Sequence, residues 1–179
     1  MVVPHALEDK YGLTSSELLD AIDRRFRLKV ALEGAVAEVH FERKLKVASQ
    51  EGWIEAFEDH DLDGMHDFTI TTLSGRPIRV EVKTVRGGNR YAVEIQKTRN
   101  AKDDPSSRFY DANHFDVVAV CIGRKTGNWS EFRYALVDEL PRHAKFPPKL
   151  KVMHEILDAI GTGPRWFSRL QDVIDELER

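Results

Sequence analysis

Asp67, Glu81 and Lys83 are the residues of this 179-residue chain whose types and spacing point to chemistry. Glu81 and Lys83 belong to the run Ile78-Arg79-Val80-Glu81-Val82-Lys83-Thr84, in which apolar and charged side chains alternate. In an extended strand that alternation puts Ile78, Val80 and Val82 on one face and Arg79, Glu81 and Lys83 on the other. Asp67 opens the preceding apolar run, and the turn Ser74-Gly75-Arg76-Pro77 between the two predicts an antiparallel hairpin. Folded that way, Asp67 comes close to Glu81, and two carboxylates converge with one ammonium. Such a pair suits Mg²⁺, which uses few protein oxygens and keeps water in the rest of its octahedron, with Mn²⁺ expected to substitute. The chemistry expected of the trio is metal-assisted phosphodiester hydrolysis. The cation held by Asp67 and Glu81 activates water and neutralises charge on the phosphate, while Lys83 orients the nucleophile or stabilises the pentavalent transition state. A Glu and a Lys two residues apart are also common on a solvated strand, so the tripeptide alone decides nothing.

The elements that must position these residues follow from periodicity. Thr14 and Glu17 have capping-box spacing, and Leu18, Leu19, Ile22 and Phe26 mark one helical face behind them. A second helix is predicted over about 30–48, with Val30, Gly34, Ala37, Phe41, Leu45 and Ala48 along one stripe and Glu38 at its edge. Gly34, one turn earlier, is expected to let that helix approach the sheet. Strand-like runs then occupy 53–57, 67–73, 78–85, 91–96, 116–122 and 132–137, with Arg86-Gly87-Gly88-Asn89 as a further hairpin turn. After Pro141 and Pro147-Pro148 two helical faces are predicted, one on Val152, Ile156 and Ile160, the other on Phe167, Leu170, Ile174 and Leu177. The expectation is a single α/β domain over 1–179, with N-terminal helices, a mixed β-sheet at about 53–137 flanked by helices, and a C-terminal helical tail.

Asp67, thirteen intervening residues, then Glu81-Val82-Lys83, all preceded by a helix carrying Gly34-x-x-x-Glu38, resembles the PD-(D/E)xK nuclease superfamily over about 30–122. The resemblance implies a restriction-endonuclease-like core and a Mg²⁺-dependent site. In that site Glu38 is the helical acid, Asp67 and Glu81 are metal ligands and Lys83 is the catalytic lysine, with Glu38 reaching the metal site from the helix. His66 stands where the name-giving proline would be. By the same analogy Gln96, beside Lys97, orients water or phosphate; capping a strand end is an equal use for it. The family implies DNA cleavage in restriction, phage defence or DNA repair. The alternatives are a catalytically inactive module of the same fold that binds DNA or a partner protein, and a nuclease acting on RNA or branched DNA.

Charge gives an independent indication. Residues 76–102 hold eight basic side chains against two acids, a balance of +6 in a chain whose net charge is −3, so the remainder carries −9. A polyanion-binding face is expected there, with Arg86, Arg90, Lys97, Arg99, Lys102 and the later Arg108 as nucleic-acid contacts. The same composition excludes a disordered chain, a histone-like polycation and an acidic tail.

Competing sites are weaker. Asp59-His60-Asp61-Leu62-Asp63-Gly64 opens like a calcium-binding EF-hand loop, but position twelve is Ile70 rather than Glu, and a strand follows. Asp63 remains the alternative to Asp67 as first ligand. No HExxH, P-loop or serine-hydrolase elbow occurs. The one cysteine, Cys121, allows no intramolecular disulfide, the first residues carry no basic leader, and no apolar run approaches the roughly 20 residues of a membrane span; a cytoplasmic setting is expected. One site cuts one strand, so a homodimer is expected for duplex cleavage, with the Phe167 to Leu177 stripe packing either on its own sheet or on a second copy. A chain this short leaves room for an ATPase or methyltransferase partner to supply specificity.

Overall fold

Val117 to Cys121 read Val-Val-Ala-Val-Cys, and all five are buried in the strand they form. A strand without alternation belongs where both faces of a sheet are covered. The computed structural model describes residues 5–62, 64–97, 102–156 and 163–179. Asp63, Arg99 and Ile160 lie outside them. The described chain falls into two units, Met1–Val36 and Ala37–Arg179.

The second unit is a mixed α/β fold built on a five-stranded sheet. Its strands are β1 (Ala56–Asp59), β2 (Phe68–Thr71), β3 (Pro77–Thr84), β5 (Val117–Cys121) and β6 (Phe132–Leu136), in the order β1-β2-β3-β5-β6. Only β3 and β5 run parallel. One face packs on α3 (Phe26–Gln50) through Ala37, Phe41, Leu45 and Ala48, and on α5 (Leu170–Glu178) through Leu170, Val173 and Ile174. Phe41 lies 5.3 Å from the Phe68 ring and 5.6 Å from that of Phe132, an aromatic centre for this layer. The i, i+4, i+8 spacing of Ala37, Phe41 and Leu45 is the core-facing stripe that the sequence predicts. The other face is covered by a two-stranded sheet, β4 (Ala92–Glu94) with β7 (Met153–Glu155), and by the loops around Tyr110, Phe115 and Leu150. Between β5 and β6 lies a single helical turn, α4 (Gly123–Thr126). A Cβ on Gly123 would come within 2.7 Å of the Trp129 backbone, which explains glycine there.

Several expectations change. The run at 91–96 does not join the main sheet: β4 is shorter and pairs with β7, so Arg86-Gly87-Gly88-Asn89 links two sheets rather than closing a hairpin. The helical face predicted on Val152 and Ile156 is instead the strand β7 and its flank, with Ile95 N–H donating to Val152 and Ile156 N–H to Tyr91. Val152 and Ile156 have the four-residue spacing of a helical face, but pairing with β4 decides otherwise. The first strand begins at Ala56 rather than Trp53. Phe167 precedes α5 and bridges to Tyr134, while Leu170 and Ile174 are buried on the chain's own sheet. A Cβ on Gly34 would meet open space, so close approach is not what glycine serves there.

The first unit contains α1 (Ala6–Tyr11), α2 (Ser15–Asp23) and the start of α3. The capping box predicted at Thr14 is present, with the Glu17 carboxylate accepting from Thr14 N–H at 2.8 Å. The face expected behind it is not covered, since Leu19 and Phe26 are exposed. No helix among the described residues is long and apolar enough to cross a membrane.

Candidate active site

Phe68 pairs with Val80 at the last rung of the β2–β3 ladder, and one residue further along stand Asp67 and Glu81. There β2 has ended, leaving the Val82 N–H without a strand partner; Asp67 Oδ2 accepts it at 2.7 Å. The alternation predicted for β3 holds: Ile78, Val80 and Val82 enter the α3 layer, and Arg79, Glu81 and Lys83 face the other way. That second face is not solvent. Glu81 is 2% exposed, beneath the loop that carries Tyr110.

Glu81 Oε1 accepts from both Lys83 Nζ and the Tyr110 hydroxyl, while Oε2 is buried with no hydrogen-bond partner. Tyr110 is therefore part of the site, although nothing in the sequence marks a tyrosine 27 residues beyond Lys83. Its position is set by the backbone, with Leu150 N–H donating to its carbonyl at 2.9 Å, and by the next residue, where Lys149 pairs with Asp111 at 2.9 Å. Arg79 holds the same loop from below. It forms a two-pronged pair with Asp116 at 2.8 and 3.1 Å and donates to the Asn113 carbonyl at 2.6 Å, so its charge is committed to structure.

Burial, and after it the neighbouring Glu81 charge, push the Asp67 carboxyl up to about 7 against the opposing pull of Lys83 and the Val82 amide. Glu38 sits on α3 within the field of the same groups. Desolvation raises its pKa, Lys83 pulls it down, and Asp59, Glu81 and Asp61 push it up. For Lys83, burial works against the charge, but Glu81, Tyr110 and Asp67 outweigh it and keep the amine protonated. Burial raises the Tyr110 pKa, so its hydroxyl stays a neutral donor. The geometry thus joins Asp67, Glu81 and Lys83, with Glu38 electrostatically coupled to them.

His66, just before Asp67, shares the Thr69 hydroxyl with His60, at 2.7 and 2.8 Å. Burial lowers its pKa, and so do His60, Arg79 and His114. His114 packs 5.1 Å from the Tyr110 ring, and its Nε2 is buried without a partner. Neither histidine was singled out as functional by sequence spacing.

The remaining predicted residues divide. Gln96 donates to Glu94, which also pairs with Arg86, so its observed engagement is at the edge of β4 rather than with Asp67 or Glu81. Arg90 lies 3.4 Å from Glu155, across the β4–β7 pair. Lys97 stands 5.7 Å over the Tyr110 ring, at the site itself. Lys102 is exposed, and Arg108 is half-buried with its Nε unpartnered. Part of the basic character of 76–102 is therefore neutralised by acids distant in sequence, Asp116 and Glu155.

Among the described residues no three His, Cys, Asp or Glu side chains are grouped to hold one ion. The site offers two carboxylates, Asp67 and Glu81, which matches the few protein oxygens that Mg²⁺ uses. The unpartnered Glu81 Oε2 and the strained ionisation of Asp67 are what a divalent cation would relieve, so the residues present fit one.

No protein-family model and no curated protein matches this sequence. Among solved structures the chain is similar to a bacterial homing endonuclease, I-Ssp6803I, at 18% identity over 73% of this chain and 79% of that one, with a TM-score of 0.48. Likeness of that degree leaves the chemistry to be judged from the site's own residues.

Proposed function

We propose that this protein is a divalent-metal-dependent DNA endonuclease of the PD-(D/E)xK type, with a restriction-endonuclease-like core. The observation that carries the reading is the buried Glu81: one oxygen held by Lys83 and Tyr110, the other unpartnered, beside an Asp67 whose ionisation is suppressed. A Mg²⁺ ion at Asp67 and Glu81 would supply water activation and charge neutralisation at the phosphate. Lys83, protonated, acts as an electrostatic donor toward the scissile phosphate or its attacking water rather than as a base. Tyr110 and Lys83 together fix the Glu81 carboxylate so that Oε2 is the oxygen presented. Asp67 is oriented by the Val82 amide and Glu38 adds negative potential from α3. Lys97, whose ammonium stands 5.7 Å over the Tyr110 ring, would contact the DNA backbone next to the site.

Plasmid nicking tests the reading. Supercoiled DNA should be relaxed with Mg²⁺ or Mn²⁺, not with EDTA, and not by the Glu81→Gln protein. DNA binding without cleavage would instead favour the inactive module, and stronger cleavage of RNA or branched DNA in competition would reassign the substrate.

A further inference from the structure

Between α3 and the start of α5 lies an open cavity of about 810 Å³, within the range of roughly 300–1,000 Å³ that small-ligand sites occupy. All of its lining residues fall within 37–179, so one unit of the chain forms it. With about 100° of turn per residue along α3, His40, Lys44, Val47 and Glu51 share one stripe beside the core-facing residues. Glu38 falls on the opposite flank of that core stripe. The cavity and the proposed active site therefore lie on different sides of α3.

Charge around the cavity is one-sided. Arg43, Lys44 and Arg169 line it, with Glu51 the one acid among the described residues around it, and the Glu51 carboxylate already accepts the Trp53 indole N–H at 3.1 Å. No ion pair among the described residues engages Arg43 or Lys44, and Lys44 stands 5.8 Å over the Phe132 ring. Arg169 holds the N-cap position of α5, where no side chain accepts from the first-turn amides; its own pair with Asp172 is long, at 3.9 Å, and exposed. A cation at a helix N-terminus opposes the helix dipole, and open first-turn N–H groups favour an anion. Three cations and such a helix end, facing one space, are matched by a negative ligand.

Tyr134 is an independent indication. It lines the cavity although only 2% exposed, its backbone N–H and C=O are exchanged with Phe167 at 2.9 and 2.8 Å, and its ring stacks beside that of Phe132. The hydroxyl has no hydrogen-bond partner among the described residues and is not sealed from solvent, so the phenol oxygen is what Tyr134 presents to the cavity. Burial raises its pKa, which keeps it a neutral donor. A hydroxyl so placed without an acceptor costs free energy that an anionic oxygen would offset. Inorganic phosphate would leave most of the cavity unfilled, and Val47 and Trp53 supply an apolar wall for a larger body.

We propose that this cavity binds a phosphate monoester of about nucleotide size, with the phosphate held by Arg43, Lys44, the Tyr134 hydroxyl and the N-terminus of α5, and the organic part against Val47 and Trp53. The inference goes beyond the nuclease reading and stands without it, because binding is measured in the absence of DNA and metal.

Titration calorimetry of the full chain gives the test, with inorganic phosphate, adenosine and adenosine 5′-monophosphate as probes. The monophosphate should bind once per chain and at least about tenfold more tightly than inorganic phosphate, and adenosine should not bind. Tyr134→Phe should weaken monophosphate binding by about tenfold, and Arg43→Gln with Lys44→Gln by roughly ten- to a hundredfold, the scale of hydrogen bonds to a charged group. Both variants should keep the wild-type thermal transition, and Glu81→Gln should bind the monophosphate as wild type does, whatever its effect on cleavage. Absence of monophosphate binding overturns the proposal. So does binding that the basic variant loses and Tyr134→Phe retains in full, which would place the ligand on surface cations outside the cavity. Equal competition by an unphosphorylated duplex oligonucleotide would make the basic wall a nucleic-acid contact and overturn the small ligand.

Discussion

Asp67 accepts the Val82 main-chain N–H at 2.7 Å, one residue beyond the last rung between β2 and β3. A side chain thus replaces the strand that has ended, and the carboxylate is fixed by the same backbone that places Glu81. Fixed so, it is held where burial and a second acid both disfavour its charge. Such an arrangement costs stability in the protein alone, a cost that a cation bound there would relieve.

That cost has a sign. The Asp67 carboxyl is raised from 3.8 to about 7 on folding, so the folded state holds the proton more tightly and stability falls as pH rises from about 4 to about 7, then levels off. Asp67→Asn, whose amide oxygen can still accept from Val82, should stabilise the metal-free protein above pH 7 by on the order of 2 kcal/mol while abolishing cleavage. Denaturant melts of both proteins at pH 5 and pH 8 check this. A variant that is no more stable at pH 8 refutes it.

Glu81→Gln and Lys83→Ala should each reduce cleavage by roughly 10²–10³-fold or more, in keeping with loss of transition-state electrostatics. They should differ in stability. Glutamine fills the same space, whereas removing Lys83 strands the buried Glu81 charge with only Tyr110 as donor and should cost roughly 1–3 kcal/mol. Equal cleavage by wild type and both variants, with contaminating nuclease excluded, ends the assignment.

Tyr110→Phe removes one of the two donors on Glu81 Oε1 and leaves the ring packing against Phe115 and His114. Mn²⁺ affinity measured by calorimetry should weaken by about tenfold, the scale expected for loss of a residue that orients a metal ligand. Unchanged affinity would show that Lys83 alone holds the carboxylate.

Glu38→Ala should lower cleavage less than Asp67→Ala, because Glu38 acts on the site through its charge from α3 while Asp67 is anchored within it by the Val82 amide. Steady-state rates of the two variants decide the order. Should Asp63→Ala destroy activity and Asp67→Ala spare it, the first ligand is Asp63 instead.

His154 is buried on β7 with its Nε2 2.6 Å from the Lys151 carbonyl, and burial holds its pKa below the ordinary 6.5. Protonation is therefore easier in the unfolded chain, and stability present above about pH 6.5 is lost as pH falls toward the depressed folded pKa. On going from pH 7 to pH 5, wild type should lose stability relative to His154→Gln, whatever the net slope set by Asp67. Parallel curves would remove His154 from the acid response.

The hairpin, its register and the α3 stripe were legible in the sequence because each rests on local periodicity: alternation in Ile78 to Lys83, i, i+4 spacing in Ala37 to Leu45, a turn between two apolar runs. Asp67 opposite Glu81 follows from that register alone. What local pattern could not convey is which strand pairs with which across long separations. The β4–β7 ladder joins residues about sixty apart, and only that contact makes 153–155 a strand instead of the helix its apolar spacing suggests. Tyr110 reaches Glu81, and Asp116 and Glu155 reach Arg79 and Arg90, in the same non-local way. The charged residues were therefore visible in the chain, but their burial and their partners, which set their protonation and their freedom to meet a ligand, were decided by tertiary packing.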